Sequence, residues 1–204
     1  MIKSFLFDLD GTIWSSENTI IKSISQTIFD KKDIFVEEYQ IKTLLRANFT
    51  FKEVLQKYKI YSLSPYWTNY RKFMGSISLF FPETLQIFAK LQNKSSKIGF
   101  VTSLKKEFSM NLLKKFGLYD YANVIITPTE CRTPKPNARS LLMAIRELHI
   151  NSSEVIYIGD TENDVIAAKN ARCFSGLAMW GNQQPINIKP DYVLNKLSDI
   201  LGLS

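Results

Sequence analysis

Several things are scarce in this sequence, and each shortage excludes a class of protein. There is one histidine, His149, so no histidine cluster can hold a metal and no Ser-His-Asp triad has an evident base. There are two cysteines, Cys131 and Cys173, far apart and without ligand spacing. They are expected to be reduced thiols, not a disulfide. No apolar run approaches the roughly 20 residues that a membrane-spanning helix requires. Near the N-terminus, Asp8 and Asp10 interrupt the stretch that a secretory signal would need to keep apolar. A cytoplasmic location with no membrane partner is therefore expected. Internal repeats and low-complexity tracts are missing as well.

What is present suits an ordinary globular chain. The 204 residues are 45% hydrophobic and 22% charged, enough to build a core without a staple. The net charge is +7, from 26 Lys and Arg against 19 Asp and Glu. A basic surface can steer an anionic substrate. Here the lysines are scattered in pairs such as Lys31-Lys32, Lys105-Lys106 and Lys114-Lys115, the pattern of solvated helix faces. Nucleic acid is not the expected partner, and a monomer is expected.

The hydrophobic pattern alternates short apolar runs with helical stripes. Strands are predicted at 2–7, 97–101, 123–126, 154–158, 172–179 and 192–194. Between them, one helix opens at Pro82 and a second carries Phe108, Leu112, Leu113 and Phe116 and stops at Gly117. Two more are predicted at 136–149 and 163–171. Such alternation implies an α/β fold: a Rossmann-like, mainly parallel sheet with helices on both faces. Ligands in such sheets bind beyond the carboxyl ends of the strands. Residues 15–79 break the rhythm with four consecutive helical stripes, including Ile20, Ile21, Ile24 and Ile28, then Phe51, Val54, Leu55 and Tyr58. An inserted all-helical cap at 15–79 is expected, on a core made of 1–14 and 80–204.

Four polar segments sit at the predicted strand ends. In Asp8-Leu9-Asp10-Gly11-Thr12, alternation puts two carboxylates on one side. Their repulsion is relieved by a hard divalent cation or by holding one carboxyl protonated. The segment read alone could also be a strand followed by a common Asp-Gly turn. Val101-Thr102-Ser103 leaves a strand for a helix, offering hydroxyls and N–H groups to a phosphate, or merely a helix cap at Ser103. Thr133-Pro134-Lys135-Pro136 holds a lysine between two prolines that restrict its backbone. Gly159-Asp160-Thr161-Glu162-Asn163-Asp164 adds two acids. A capping box would account for Asp164 but not for Asp160.

In this order, Asp8 to Thr12, Thr102, Lys135, and Asp160 with Asp164 resemble the motifs of the haloacid dehalogenase superfamily. Gly176-Leu177-Ala178-Met179-Trp180-Gly181 and Pro190-Asp191-Tyr192-Val193 resemble its phosphoglycolate phosphatase-like branch. The resemblance implies a Mg²⁺-dependent phosphatase acting on a small phosphorylated metabolite, a phosphoglycolate-like compound among the candidates. Asp8 is implied as nucleophile and Asp10 as general acid and base. Thr102, Ser103 and Lys135 are implied as phosphate ligands. Asp8, Asp10 and Asp160 are implied as metal ligands, with Asp164 orienting them. Dehalogenase members lack the second acid that Asp10 supplies here, which favours phosphate chemistry. The entry to the cap departs from many relatives, since Trp14 is followed by Ser15 and Ser16. So does the segment Leu45 to Thr50, where Arg46 is a candidate for a substrate carboxylate or second phosphate. Two alternatives remain open: a phosphosugar mutase, and a non-catalytic phosphate- or nucleic-acid-binding protein on the same fold.

Overall fold

The computed structural model describes residues 2–47, 49–181 and 186–203. Asn48, in the segment singled out above, lies outside the described residues. Eight strands and eight α-helices are named in chain order. The strands are β1 (Ser4–Phe7), β2 (Trp14–Ser15), β3 (Ser78–Leu79), β4 (Lys97–Val101), β5 (Val124–Ile126), β6 (Val155–Gly159), β7 (Phe174–Ala178) and β8 (Tyr192–Leu194). The helices are α1 (Glu17–Lys32), α2 (Glu38–Arg46), α3 (Phe51–Lys57), α4 (Ser64–Phe73), α5 (Thr84–Asn93), α6 (Lys106–Lys115), α7 (Arg139–Glu147) and α8 (Glu162–Asn170).

The chain divides into two compact units, Met1–Trp14 with Leu79–Ser204, and Ser15–Ser78. The division expected from sequence differs by one residue at the second crossing. In the first unit six strands run parallel in the order β5-β4-β1-β6-β7-β8. β1 can be central because all four of its residues are fully buried: Phe5, Leu6 and Phe7 are apolar, and Ser4 satisfies its hydroxyl on the Lys97 carbonyl at 3.1 Å. Its side chains divide between the faces. Leu6 joins Tyr157 and the apolar residues of α7 and α8 in one cluster. Phe7 packs with Phe88 of α5 at 5.1 Å and with Phe100 of β4 at 6.4 Å on the other side. Helices thus cover both faces, as the alternating pattern implies.

Burying a large apolar side chain contributes roughly 1.5–3 kcal/mol, and removing one leaves a cavity as well. Phe100 is fully buried between Phe7 and Phe88. Phe100→Ala is expected to cost about 3–5 kcal/mol, measured by denaturant unfolding.

Two helix starts differ from the sequence-based reading, each for a local reason, and a third agrees with its capping box. α7 begins at Arg139, not at Pro136. The Asn137 side chain accepts the Arg139 N–H at 2.9 Å and keeps the chain in a turn until then. α6 begins at Lys106, three residues past Ser103, so Ser103 is not its cap. Thr102 Oγ1 accepts the Leu104 N–H at 3.1 Å and forms a side-chain turn there instead. α8 begins at Glu162, with Thr161 and Asp164 in the capping box that the sequence suggested. Gly117 ends α6 with φ of +68°, the left-handed value that suits glycine.

The second unit packs Ile21, Ile24, Ile28, Ile41, Val54, Leu55 and Tyr66 into its own core. The stripe on α1 is only half apolar, because Thr19, Ser23 and Thr27 are also fully buried. Ser23 and Thr27 donate to the carbonyls four residues back, at 2.5 and 2.6 Å. Asn69 of α4 then donates to Thr27 Oγ1 at 3.1 Å and to Asp30 at 3.0 Å. These bonds satisfy polar groups that burial would otherwise penalise.

Candidate active site

Register places the sequence motifs side by side. Phe7 is level with Phe100 of β4 and with Ile158 of β6. One residue on, the Asp8 N–H donates to the Ile158 carbonyl at 2.8 Å, so Asp8 leaves the sheet between β4 and β6. Thr102 follows β4, with its N–H on the Ile126 carbonyl at 3.0 Å. Asp160 follows β6 immediately. Asp8, Thr102 and Asp160 are all buried at this carboxyl edge.

The polar centre is built around Lys135. Its Nζ lies 2.9 Å from Asp8 Oδ1 and 2.6 Å from Asp164 Oδ1, and it donates to the Tyr157 hydroxyl at 2.9 Å. Asp164 is anchored from the other side, where its Oδ2 accepts from Thr161 N–H at 3.1 Å and Thr161 Oγ1 at 2.5 Å. The capping role and the site role therefore coexist in one side chain. Carboxylate oxygens of Asp8, Asp160 and Asp164 lie within 4.8 Å of one another. Burial pushes the Asp8 carboxyl up to about 6, with Lys135 opposing and Asp164 adding to the shift. Burial also works against the Lys135 charge, but the carboxylates of Asp8 and Asp164 prevail and raise its pKa. Three clustered carboxylates against one ammonium make a hard, all-oxygen donor set, and that set suits Mg²⁺.

Gly11 permits this convergence. It has φ of +89°, and a Cβ there would fall 2.2 Å from Asp160 Oδ2. No larger residue could bring the Asp10–Thr12 turn against Asp160. Asp10 is half-buried in that turn and bridges to Trp14. Ser103 is exposed and lines a cavity of about 120 Å³ together with Thr102, Thr133 and Lys135. Arg46 is exposed in the last turn of α2, in the other unit.

Sequence reasoning missed two groups. Tyr157 reads as one more apolar strand residue, yet its hydroxyl donates to the Val101 carbonyl at 3.0 Å and meets Asp164 at 3.1 Å. A tyrosine inside a fully buried parallel strand is itself a signal, because its hydroxyl needs a partner. Glu130 reads as a loop acid, yet it secures the segment leading to Lys135. Its Oε2 accepts from Thr127 N–H at 2.9 Å and Thr127 Oγ1 at 2.6 Å, and its Oε1 pairs with Lys106 at 2.6 Å.

That network makes a pH prediction. Burial alone would raise the Glu130 pKa, but the bonds from Lys106 and Thr127 outweigh it and hold the carboxyl at about 2, against an ordinary 4.5. A folded value below the unfolded one contributes stability above pH 4.5 and loses it as the pH falls towards 2. Glu130→Gln is expected to unfold more easily than the parent at pH 7. The gap should shrink as unfolding is repeated through that acid window.

Fold and site together define an α/β protein with carboxylates gathered at the carboxyl edge of its parallel sheet. Residues 5–178 match the family model of the haloacid dehalogenase-like hydrolases, and the chain belongs to that family. It is 27% identical over 216 residues to the pyrophosphatase PpaX of Listeria innocua, covering 99% of this chain and 96% of that protein. A hydrolase of the same superfamily from Geobacter sulfurreducens, subfamily IA variant 1, superposes with a TM-score of 0.79 at 20% identity, over 99% of this chain and 96% of the other. A protein described as a predicted phosphoglycolate phosphatase from Haemophilus somnus gives 0.78 at 19% identity, over 99% and 97%. At such identities the solved structures speak for the fold. No helix among the described residues is long and apolar enough to cross a membrane.

Proposed function

We propose that the chain is a Mg²⁺-dependent phosphatase that hydrolyses a small phosphorylated compound through a phosphoaspartate at Asp8. One observation carries the reading. A buried carboxylate, Asp8, is held by a buried ammonium at the end of the central strand, with two further carboxylates beside it. Asp8 and Asp160, with the main-chain carbonyl of Asp10, would hold Mg²⁺. When bound, the metal supplies positive charge that lets an anionic nucleophile approach an anionic phosphate.

An Asp8 oxygen attacks phosphorus, and the bond from phosphorus to the leaving oxygen breaks. Asp10 gives its proton to that oxygen. A water then attacks the phosphorus of the phosphoaspartate and passes its proton to Asp10. Inorganic phosphate leaves, and Asp8 is again a carboxylate. Thr102, Ser103 and Lys135 hold the phosphoryl oxygens as fixed donors. Asp164 holds Lys135 in place from behind. The unit Ser15–Ser78 serves as a cap that reads the substrate, with Arg46 as a candidate contact for a carboxylate or second phosphate.

The similarity to PpaX over nearly the whole chain makes inorganic diphosphate the first compound to try. Phosphoglycolate follows from the resemblance at Gly176 to Gly181 and Pro190 to Val193. The test is phosphate release from diphosphate, phosphoglycolate, sugar phosphates, nucleotides and an aryl phosphate, with Mg²⁺ and with chelator. Release that needs the metal supports the reading. Folded protein that binds Mg²⁺ yet turns over none of these compounds would overturn it.

A further inference from the structure

We infer that Trp180 is a positioning residue, one that fixes the turn carrying Asp10 and so sets the aim of the proton donor. The inference rests on the phosphatase reading above, because it assigns Trp180 a task only if Asp10 moves protons.

The Asp10–Thr12 turn is tied at its base by its own backbone. The Thr12, Ile13 and Trp14 N–H groups all donate to the Leu9 carbonyl, at 3.2, 2.7 and 3.2 Å, and Gly11 N–H donates to the Trp14 carbonyl at 2.8 Å. These bonds shape the turn but do not fix it against the sheet. Trp180 supplies such a tie from just past the end of β7. Its indole N–H donates to the Thr12 carbonyl at 2.8 Å. Its ring meets Phe81 edge-on, centroids 5.2 Å apart and planes at 81°. Next to it, Gly181 runs so close that a Cβ there would fall 2.0 Å from the Gly11 carbonyl and 2.5 Å from Asp160 Cβ. The segment is itself anchored, since Met179 N–H donates to the Leu194 carbonyl at 2.9 Å. The turn therefore meets both Asp160 and a strap hung from β7. Trp180 provides its hydrogen bond, and Gly181 allows the close approach.

Proton donation is sensitive to this kind of support, because a donor must lie within hydrogen-bond reach of the leaving oxygen. A shift of about 1 Å can cost on the order of 100-fold in rate. The cost should grow with the need for the proton. Phenolate leaves poorly unless protonated, whereas 4-nitrophenolate leaves readily without help.

The experiment compares phenyl phosphate with 4-nitrophenyl phosphate, on full-length protein with Mg²⁺. Trp180→Phe keeps a ring against Phe81 and removes the N–H. Benzothienylalanine at position 180 keeps the indole shape and removes only the donor, which covers the case in which Trp180→Phe folds poorly. The expected result is a kcat on phenyl phosphate that falls about tenfold more than on 4-nitrophenyl phosphate, with KM little changed. Equal losses on both, or none, would overturn the role of Trp180. Asp10→Asn is the control. A leaving-group-selective loss there without one at position 180 sinks the Trp180 inference alone. No selective loss in Asp10→Asn removes the acid assignment, and the inference falls with it.

Discussion

Asp8→Asn protein should fold as the parent does and release no phosphate. The amide keeps the size of the carboxylate but has no nucleophilic oxygen, so the covalent route is closed. Loss of a nucleophile costs on the order of 10⁴ or more in kcat. Stability should behave differently. Asp8, Asp160 and Asp164 crowd three carboxylates against the Lys135 ammonium. Neutralising one of them relieves repulsion, and the asparagine carbonyl can still accept the bond from Lys135. The variant is therefore expected to melt at or above the parent temperature without metal, a common trade between stability and activity. Phosphate release and thermal unfolding on the same preparation test both parts. Residual metal-dependent turnover near the parent rate would remove Asp8 as nucleophile.

Lys135→Met should be the most damaging single change in the site. Methionine retains most of the stem but leaves Asp8 and Asp164 without their shared ammonium. The lysine side chain is only 10% exposed and that of Asp164 1%, so water cannot replace the lost partner. Removing one partner of a buried ion pair typically costs about 3–5 kcal/mol, and here one cation serves two anions and the Tyr157 hydroxyl. Arginine should not rescue it, because a planar guanidinium does not fit a site shaped for a compact ammonium. Because the variant cluster carries more uncompensated negative charge, added Mg²⁺ should raise its melting temperature more than it raises that of the parent. A loss below about 1 kcal/mol in denaturant unfolding would mean that the pair is worth no more than a surface bridge.

Much of this was legible because strands end where chemistry begins. β1, β4 and β6 are short, largely apolar runs stopped by Asp8, Thr102 and Asp160, and a run bounded by polar residues needs no tertiary information to be seen. Family membership followed from the same residues. What escaped were groups whose task depends on where the chain returns. Tyr157 looks apolar until Lys135 and Asp164 arrive from other elements. Glu130 looks solvated until Lys106 of α6 reaches it. Helix starts were misplaced where a side chain took a backbone N–H first, as Thr102 and Asn137 do. In the second unit, Thr19, Ser23 and Thr27 broke the apolar stripe that sequence patterning expects of a buried helix.

The Phe80 N–H donates to the Ile13 carbonyl at 3.2 Å, so the chain leaves the first unit and re-enters it at neighbouring points. Whatever is spliced between those points adds a loop whose ends are already together, and closing such a loop costs little more as it lengthens. The residues in between are thus free to diverge, shrink or be replaced as a cassette without unsettling the sheet. A lineage built this way can vary the inserted unit while its sheet stays unchanged. A chimera that carries a relative's insert between Trp14 and Leu79 is the natural way to watch that happen.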